Sequence, residues 1–229
     1  MISYFLPASG KGCGVLAFAF LVTVVSAQTM DAPPTLEVGN KWTFRIDDKG
    51  NRLEPYTYMF HVRDVRAGSA WMYGETQRPG SNNPKFVARY DQKRAGVLEY
   101  FKIDPAEPNS VGQRYDNSQP NDDWFQFPLA VGKKFNVREF GDRTTNEYKA
   151  EVEAFEKIRV EAGEFEAFRI RYSGWWTRND TGRSGRVERV MWYAPAAKQR
   201  IRAELKDWDG SRLWSNRIEE LVKWEPKAD

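Results

Sequence analysis

Residues 56–63 read YTYMFHVR, and their large aromatic or apolar side chains fall on every second position. Residues 41–46 and 200–205 repeat this rhythm, with polar or basic residues in between. Successive side chains of a β-strand point to opposite faces, so this alternation is typical of strands with one buried face. The sequence therefore predicts an all-β protein.

Weaker alternation continues along the chain, at residues 69–77, 85–91, 96–103, 133–138, 147–160, 165–176, 186–194 and 212–224. Turn-forming residues separate many of these runs, for example at 48–51, 66–68 and 207–211. No long helical stripe of apolar residues competes with them. The pattern predicts consecutive hairpins that form a curved antiparallel sheet or incomplete barrel, with few short helices.

A ten-residue pattern occurs twice in the chain. Residues 36–45 read LEVGNKWTFR and residues 129–138 read LAVGKKFNVR, with six positions alike in type. We interpret the repeat as the start of two related meanders, about 36–104 and 129–224, that share one sheet. The alternative is a chance similarity between two strand starts. Residues 104–123, which contain three prolines, are predicted to form a long loop.

The first 27 residues have the pattern of a signal peptide. Their apolar run, Val15 to Val25, is too short to span a bilayer as a helix and ends in Val-Ser-Ala. We expect cleavage after Ala27, which leaves residues 28–229 as a single periplasmic or secreted β domain without a membrane span. An uncleaved anchor is the alternative. Cys13, the one cysteine, precedes the apolar run, so we expect neither lipid attachment nor a disulfide bond.

The composition narrows the chemistry that the protein can perform. The 229 residues are 41% hydrophobic and 14% aromatic, with a formal net charge of +3, as in an ordinary folded domain. Catalytic triads, Cys–His nucleophiles and zinc sites depend on histidine or cysteine, and the chain has one of each. We therefore expect no metal and no cofactor. Export makes a nucleic-acid partner a poor candidate.

Large aromatic residues stand side by side at three places: 124–127 (WFQF), 175–176 (WW) and 192–193 (WY). Neighbouring strand residues point to opposite faces, so one ring of each pair can fill the core while the other faces outward or into a cavity. The functional interpretation is a concave, aromatic-lined pocket. The alternative is a core with ordinary exposed rings. The candidate ligand-binding residues are Trp124, Phe127, Trp175, Trp176, Trp192, Tyr193, Arg200 and Arg202.

The two arginines among these candidates belong to a basic segment. Residues 169–206 contain ten Lys or Arg against three Asp or Glu, a net charge of +7. The functional interpretation is that this positive charge attracts an anionic partner, such as a lipid headgroup, an anionic glycan or an acidic protein. The alternative is a solvated strand face that discourages edge pairing.

Carboxylates are the remaining groups that could carry out catalysis. Asp47-Asp48, Asp122-Asp123, and Asp207 with Asp209 lie in or beside predicted turns. A glycosidase needs two carboxyl groups placed across a cleft. Aspartates are common in turns for structural reasons, because their side chains bond to nearby backbone. We therefore assign no catalytic residue.

One series of motifs is similar to known proteins. Residues 160–170 read VEAGEFEAFRI, followed by VMWYAP at 190–195 and KQRIR at 198–202. The series resembles uncharacterised bacterial exported proteins, assigned to domain-of-unknown-function families, whose fold is like that of the periplasmic lipoprotein-localisation carriers. The resemblance covers about 129–224. It implies an antiparallel sheet curled into an incomplete barrel around an apolar cavity, and it implies no nucleophile and no metal ligands.

Three hypotheses follow for the function. The leading one is an exported, non-enzymatic binding or carrier module that holds an apolar or amphiphilic ligand, or an envelope partner protein, on its concave aromatic face. The alternative is a carboxylate-dependent enzyme or lectin-like domain that acts on envelope glycans, which acids converging beside Trp124 or Trp175 would favour. The third is a structural subunit of an envelope assembly, which an exposed sheet edge without a pocket would favour.

Overall fold

The computed structural model describes residues 28–50, 54–80, 85–103, 123–141 and 143–227. The predicted signal peptide and all but the last residue of the predicted loop over 104–123 lie outside these residues.

The described residues are almost entirely β-structure, as the alternation predicts. The strands are β1 (Thr29–Met30), β2 (Lys41–Asp48), β3 (Tyr56–Arg66), β4 (Ser69–Gln77), β5 (Lys85–Asp91), β6 (Gly96–Ile103), β7 (Leu129–Ala130), β8 (Lys134–Phe140), β9 (Thr144–Val160), β10 (Gly163–Arg178), β11 (Ser184–Ala194), β12 (Gln199–Asp209) and β13 (Arg212–Glu225). Within the described ranges, the one helical element is a 3-10 turn at Pro195–Ala197.

Eleven strands form one antiparallel sheet in the order β6-β5-β4-β3-β2-β13-β12-β11-β10-β9-β8. The sheet is not closed into a barrel, since β6 and β8 do not pair with each other. Strands β1 and β7 form a separate two-stranded sheet. The predicted fold class, an open antiparallel sheet built from two meanders, is confirmed.

The two meanders join at the centre of the sheet. Strand β13, near the end of the chain, pairs with β2, near its start, through partners such as Leu221 and Phe44. The sheet therefore runs from β8 through β13 and continues directly from β2 to β6. Hairpins account for all other neighbours, so this pairing alone holds the two halves in one sheet.

One face of the sheet, called here the inner face, carries the hydrophobic core. In β2, Trp42, Phe44 and Ile46 are buried, while the residues between them are more exposed. A first buried cluster surrounds Trp42, and a second surrounds Phe168 on β8 to β12. Burial of apolar surface is the main stabilising term in folding, and it fixes which residues face inward.

The repeated pattern builds the same turn twice. The Gly39 amide donates to the Val62 carbonyl at 3.0 Å, and the Gly132 amide donates to the Val152 carbonyl at 2.8 Å. Both glycines have positive φ angles, +97° and +90°, which a residue without a Cβ adopts most easily. The leucine three positions before each glycine is buried. The two meanders therefore begin with equivalent turns.

Candidate ligand-binding site

The eight candidate residues lie on different faces of the sheet. Trp176, Tyr193 and Arg200 face inward, and Trp175, Trp192 and Arg202 face outward. Trp124 and Phe127 lie on the segment that precedes β7. The structure therefore does not bring the eight together in one site.

The two inward aromatic rings belong to the second cluster. The Trp176 indole donates to the Trp208 carbonyl at 2.9 Å. The Tyr193 ring packs on Phe125, with ring centroids 4.7 Å apart, and its hydroxyl has no hydrogen-bond partner among the described residues. Burial raises the pKa of the Tyr193 hydroxyl above its ordinary value. Tyr193 is therefore a core residue, and Trp176 has one edge at a cavity, described below.

The outward candidates have different surroundings. Trp175 is 60% exposed. The Trp192 indole donates to Glu156 at 2.9 Å, and the Arg202 guanidinium binds Glu220 at 2.7 Å and Glu204 at 3.0 Å. Trp192 also packs against the first buried cluster, and both Trp192 and Arg202 are thus occupied by neighbouring protein groups.

Segment 124–130 covers the aromatic part of the inner face. The Tyr172 hydroxyl donates to the Trp124 carbonyl at 2.5 Å, and the Trp124 ring packs against Tyr148 and Tyr172. The Phe127 ring packs edge-on against Tyr193 and contacts both buried clusters. The chain therefore fills this part of its own concave face.

Arg200 and Arg202 diverge because of a β-bulge. Tyr193 pairs with Arg200 and Trp192 pairs with Arg202, which leaves Ile201 as the extra residue. A bulge turns successive side chains away from strict alternation. Arg200 consequently joins the inner face, where it donates to the Tyr58 hydroxyl at 2.9 Å and pairs with the buried carboxylate of Glu219.

Glu219→Ala is expected to lower the free energy of unfolding by about 1–3 kcal/mol, since it leaves Arg200 and Arg217 without their shared carboxylate. Glu204, which pairs with Arg202 and is 35% exposed, provides the control, because Glu204→Ala should cost less than about 1 kcal/mol. Urea unfolding followed by tryptophan fluorescence measures both changes. Equal costs for the two variants would contradict a stabilising role for the inner network.

A cavity of about 400 Å³ opens at one end of the sheet, where β9 and β11 begin and β10 and β12 end. Its lining comes from five strands and the turns that join them: Arg143, Thr144, Asn146, Trp176, Arg178, Arg183, Val187, Arg189, Asp207, Asp209 and Trp214. Trp214 is 42% exposed. A second surface hollow of about 410 Å³ lies over β8, β9 and β10 and is lined mainly by polar residues.

Most of the polar side chains that line the first cavity are charged. The buried Arg189 guanidinium lies 2.5 Å from Asp207 and also donates to the carbonyls of Glu188 and Lys206, both at 3.0 Å. It is therefore fully engaged with protein groups, and it forms a rigid part of the wall.

The other arginines lie at the cavity mouth. Arg183 pairs with Asp209, and Arg178 binds Asp180 through two nitrogens. The hydrogen bond from Arg178 lowers the pKa of Asp180 to about 2, so this carboxyl stays ionised at neutral pH. Arg143 has no ion-pair partner among the described residues.

The structure describes five of the six aspartates that the sequence offers as possible catalytic groups. Asp207 and Asp209 line the cavity, each paired with an arginine, and Asp123 pairs with Arg94 at 2.8 Å. Asp48 is buried on the inner face, and Asp47 is half-buried. Asp122 lies outside the described residues. Among the residues described, no cluster of three or more His, Cys, Asp or Glu side chains is arranged to hold a metal ion.

The basic segment 169–206 is divided between the two faces. On the outer face, Arg169 and Arg171 pair with Glu153, and Arg202 pairs with Glu220. Arg189 and Arg200 point inward. The outer part of the segment is therefore largely neutralised by neighbouring acids, and its basic residues at the cavity are Arg178, Arg183 and Arg189.

Sequence analysis identified Trp176, Asp207 and Asp209 as candidates but missed Arg143, Arg189 and Trp214 as cavity residues. Arg189 carries a detectable signal, because it shares the buried phase of β11 with Val187 and Met191. A charge on an apolar phase indicates a polar pocket or a buried ion pair. Trp214 carries no such signal, because it enters the cavity through a register shift opposite Asp207 and Trp208.

In the parts of the chain that the structure describes, no helix combines the length and the apolar character needed to cross a membrane.

Neither a protein-family model nor a curated protein sequence matches the chain. Three solved structures match the chain at low sequence identity. A "putative lipoprotein" from Parabacteroides distasonis has 14% identity and a TM-score of 0.49, with 86% of this chain and 100% of that chain covered. A "putative exported protein with YmcC-like fold" from Bacteroides fragilis has 12% identity and a TM-score of 0.49, with 85% and 99% covered. The "hypothetical lipoprotein YmcC" from Escherichia coli has 10% identity and a TM-score of 0.38, with 83% and 87% covered.

Proposed function

We propose that the protein is an exported, non-enzymatic binding module that holds a small amphiphilic molecule in the cavity at the end of β9 to β13. The observation that carries the proposal is the cavity itself, about 400 Å³ in volume, with Trp176, Val187 and Trp214 beside a set of charged side chains. Export rests on the signal-peptide pattern of residues 1–27.

The size and lining of the cavity support a small-molecule ligand. Ligand sites are usually preformed clefts of about 300–1,000 Å³ that combine apolar walls with a few polar groups. Trp214 presents a large ring that water partly covers, and a ligand's apolar part would cover it more completely. The charged groups beside the rings favour a ligand that also has a polar end.

The proposed site in the cavity is smaller than the concave aromatic face that the sequence predicts. Segment 124–130 and the second cluster already occupy that face, with Phe125 and Leu129 buried among its rings. A ligand seated there would have to displace packed core residues. The end of the sheet, where the walls remain solvent-accessible, needs no such rearrangement.

Trp214→Ser tests the location of the site. The probe is 1-monolauroylglycerol, a neutral amphiphile, used below its micelle concentration and titrated into the purified protein by calorimetry. We expect saturable binding at one site, and the substitution should weaken it about tenfold, since that factor corresponds to 1.4 kcal/mol of lost contact.

Trp175→Ser is the matched control, because it removes an even more exposed indole from the outer face of the sheet. It should leave the affinity unchanged. Loss of binding in the control alone, or the absence of saturable binding, would contradict the proposal. Native mass spectrometry of the protein taken gently from its own envelope adds a second readout, in which a ligand adduct should disappear on denaturation.

A further inference from the structure

The lining of the cavity carries more positive than negative charge. Four of the eleven lining residues are arginines, and two are aspartates. Arg189 is held in the wall by Asp207, and Arg183 is paired with Asp209. Arg178 is paired with Asp180, which lies on the same turn. These pairs leave Arg143 as the lining guanidinium without a carboxylate partner among the described residues.

The backbone around Arg143 is fixed by a neighbouring turn. The Asn179 amide donates to the Arg143 carbonyl at 2.9 Å, and the Asn179 side chain donates to the Gly141 carbonyl at 3.1 Å. Thr145 donates to the Asn179 side-chain oxygen at 2.9 Å. Asn179 therefore ties the turn before β9 to the turn after β10. This contact holds the base of Arg143 beside the turn that carries Arg178 and Arg183.

The chemistry of this arrangement favours an oxyanion. A guanidinium presents parallel N–H donors that match two oxygens of a phosphate, sulfate or carboxylate group. A concave site with a surplus of one charge also concentrates counter-ions of the opposite sign. The Arg178 and Arg183 side chains are 40% and 62% exposed, so a ligand can reach the N–H donors that Asp180 and Asp209 do not use.

We propose that the ligand of this cavity is an anionic amphiphile, whose phosphate or similar oxyanion binds Arg143 with help from Arg178 and Arg183. The apolar part then lies against Trp214. This inference rests on the proposed function and specifies the charge of the ligand. The same anion chemistry occurs in a lipid headgroup and in a free phosphate compound, and the experiment separates the two.

The test compares three probes that share chemical parts. They are 1-monolauroylglycerol, the same molecule with a 3-phosphate (lauroyl lysophosphatidate), and glycerol 3-phosphate, which lacks the acyl chain. Lysophosphatidate should bind at least about tenfold more tightly than monolauroylglycerol at low salt, and raising NaCl from about 0.05 to about 0.5 M should shrink this advantage. Glycerol 3-phosphate should bind more weakly than lysophosphatidate.

Arg143→Gln should reduce the affinity for lysophosphatidate about tenfold while leaving that for monolauroylglycerol unchanged. Arg159→Gln is the control, because it removes the same charge from an exposed position at the far end of β9. It should change neither affinity. Arg143 is exposed, so circular dichroism and the melting temperature should show that the variant folds normally.

Each of the other outcomes shows whether the anionic inference or the proposed function is wrong. Equal binding of the neutral and phosphorylated lipids would overturn the anionic inference and leave the proposed function standing. If none of the three probes binds, the proposed function itself is wrong. If glycerol 3-phosphate binds as tightly as lysophosphatidate, the anion site is supported but the ligand is a free phosphate compound, and the amphiphilic part of the inference is wrong.

Discussion

Trp42→Ala is expected to lower the free energy of unfolding by about 3–5 kcal/mol, the range for removing a large buried ring from a packed core. Trp42 is fully buried on β2, next to the β13 strand that joins the two ends of the chain. Its ring stacks on Trp224 with centroids 5.0 Å apart and packs at a tilt against Phe60 at 5.3 Å. The truncation would therefore open a cavity at the junction of the two meanders.

Trp42 also forms a buried hydrogen bond, because its indole donates to the Ala197 carbonyl at 2.7 Å. Trp42→Phe keeps most of the packing and leaves that carbonyl unpaired, so we expect a cost of about 1–3 kcal/mol. Trp175→Ala, at an exposed outer position, should stay within about 0.5 kcal/mol. Chemical unfolding followed by far-ultraviolet circular dichroism measures all three. Similar costs for Trp42→Ala and Trp175→Ala would contradict the position of Trp42 in the core.

Alkaline pH is expected to unfold the protein. Four tyrosines, Tyr90, Tyr148, Tyr172 and Tyr193, are buried on the inner face, and burial raises the pKa of each hydroxyl above its ordinary value of 10.0. The charge of Arg189 lowers the pKa of Tyr148, and the charge of Arg200 lowers the pKa of Tyr172. Burial has the larger effect on the pKa of both hydroxyls.

The direction of this pH effect follows from the number of protons that the folded and the unfolded protein bind. Above pH 10 the unfolded chain loses its tyrosine protons, whereas the folded protein keeps them, so the unfolded state binds fewer protons. Stability is therefore fully present below pH 10 and falls as the pH rises toward the raised pKa values. Each buried tyrosine contributes a slope of about 1.4 kcal/mol per pH unit, so four together can remove the stability of an ordinary domain within roughly two units.

Absorbance at the tyrosinate band and far-ultraviolet circular dichroism, recorded together between pH 9 and pH 12, check this prediction. The buried tyrosines should ionise in one cooperative step that coincides with loss of β-structure. Tyr193→Phe removes a hydroxyl that has no described partner, so it should move the transition to higher pH. Gradual ionisation of all tyrosines in a protein that stays folded would contradict the burial of these rings.

The alternation of residues along each strand was enough to predict the class of fold. In residues 41–46 and 56–63 every second side chain is large and apolar or aromatic, and the structure has strands over both. This inference needs only neighbouring residues, because strand geometry itself places alternate side chains on one face. The repeated pattern at 36–45 and 129–138 likewise indicated where the two meanders begin, and the structure adds that each copy forms a glycine turn, at Gly39 and at Gly132.

The proposed binding site depends on contacts between distant parts of the chain. Three contacts join residues that are far apart in sequence. Strand β2 pairs with β13, and segment 124–130 covers the inner face. Arg143 lies beside the turn after β10. Alternation predicts that Trp175 and Trp176 face opposite ways without indicating which one is buried. A shift of one residue in register exchanges the two faces of a strand.

Two β-bulges determine which way Arg200 and Arg202 point and bring Trp214 to the cavity. The bulge opposite Trp192 and Tyr193 sends Arg200 inward and Arg202 outward, although the two are separated by a single residue. A second bulge at Asp207 and Trp208 places Trp214 at the cavity. Local sequence specified the strands, their turns and the apolar face. Register, bulges and the pairing of the chain ends arise only when the strands pack together, because the energy that selects them comes from burial across the whole sheet.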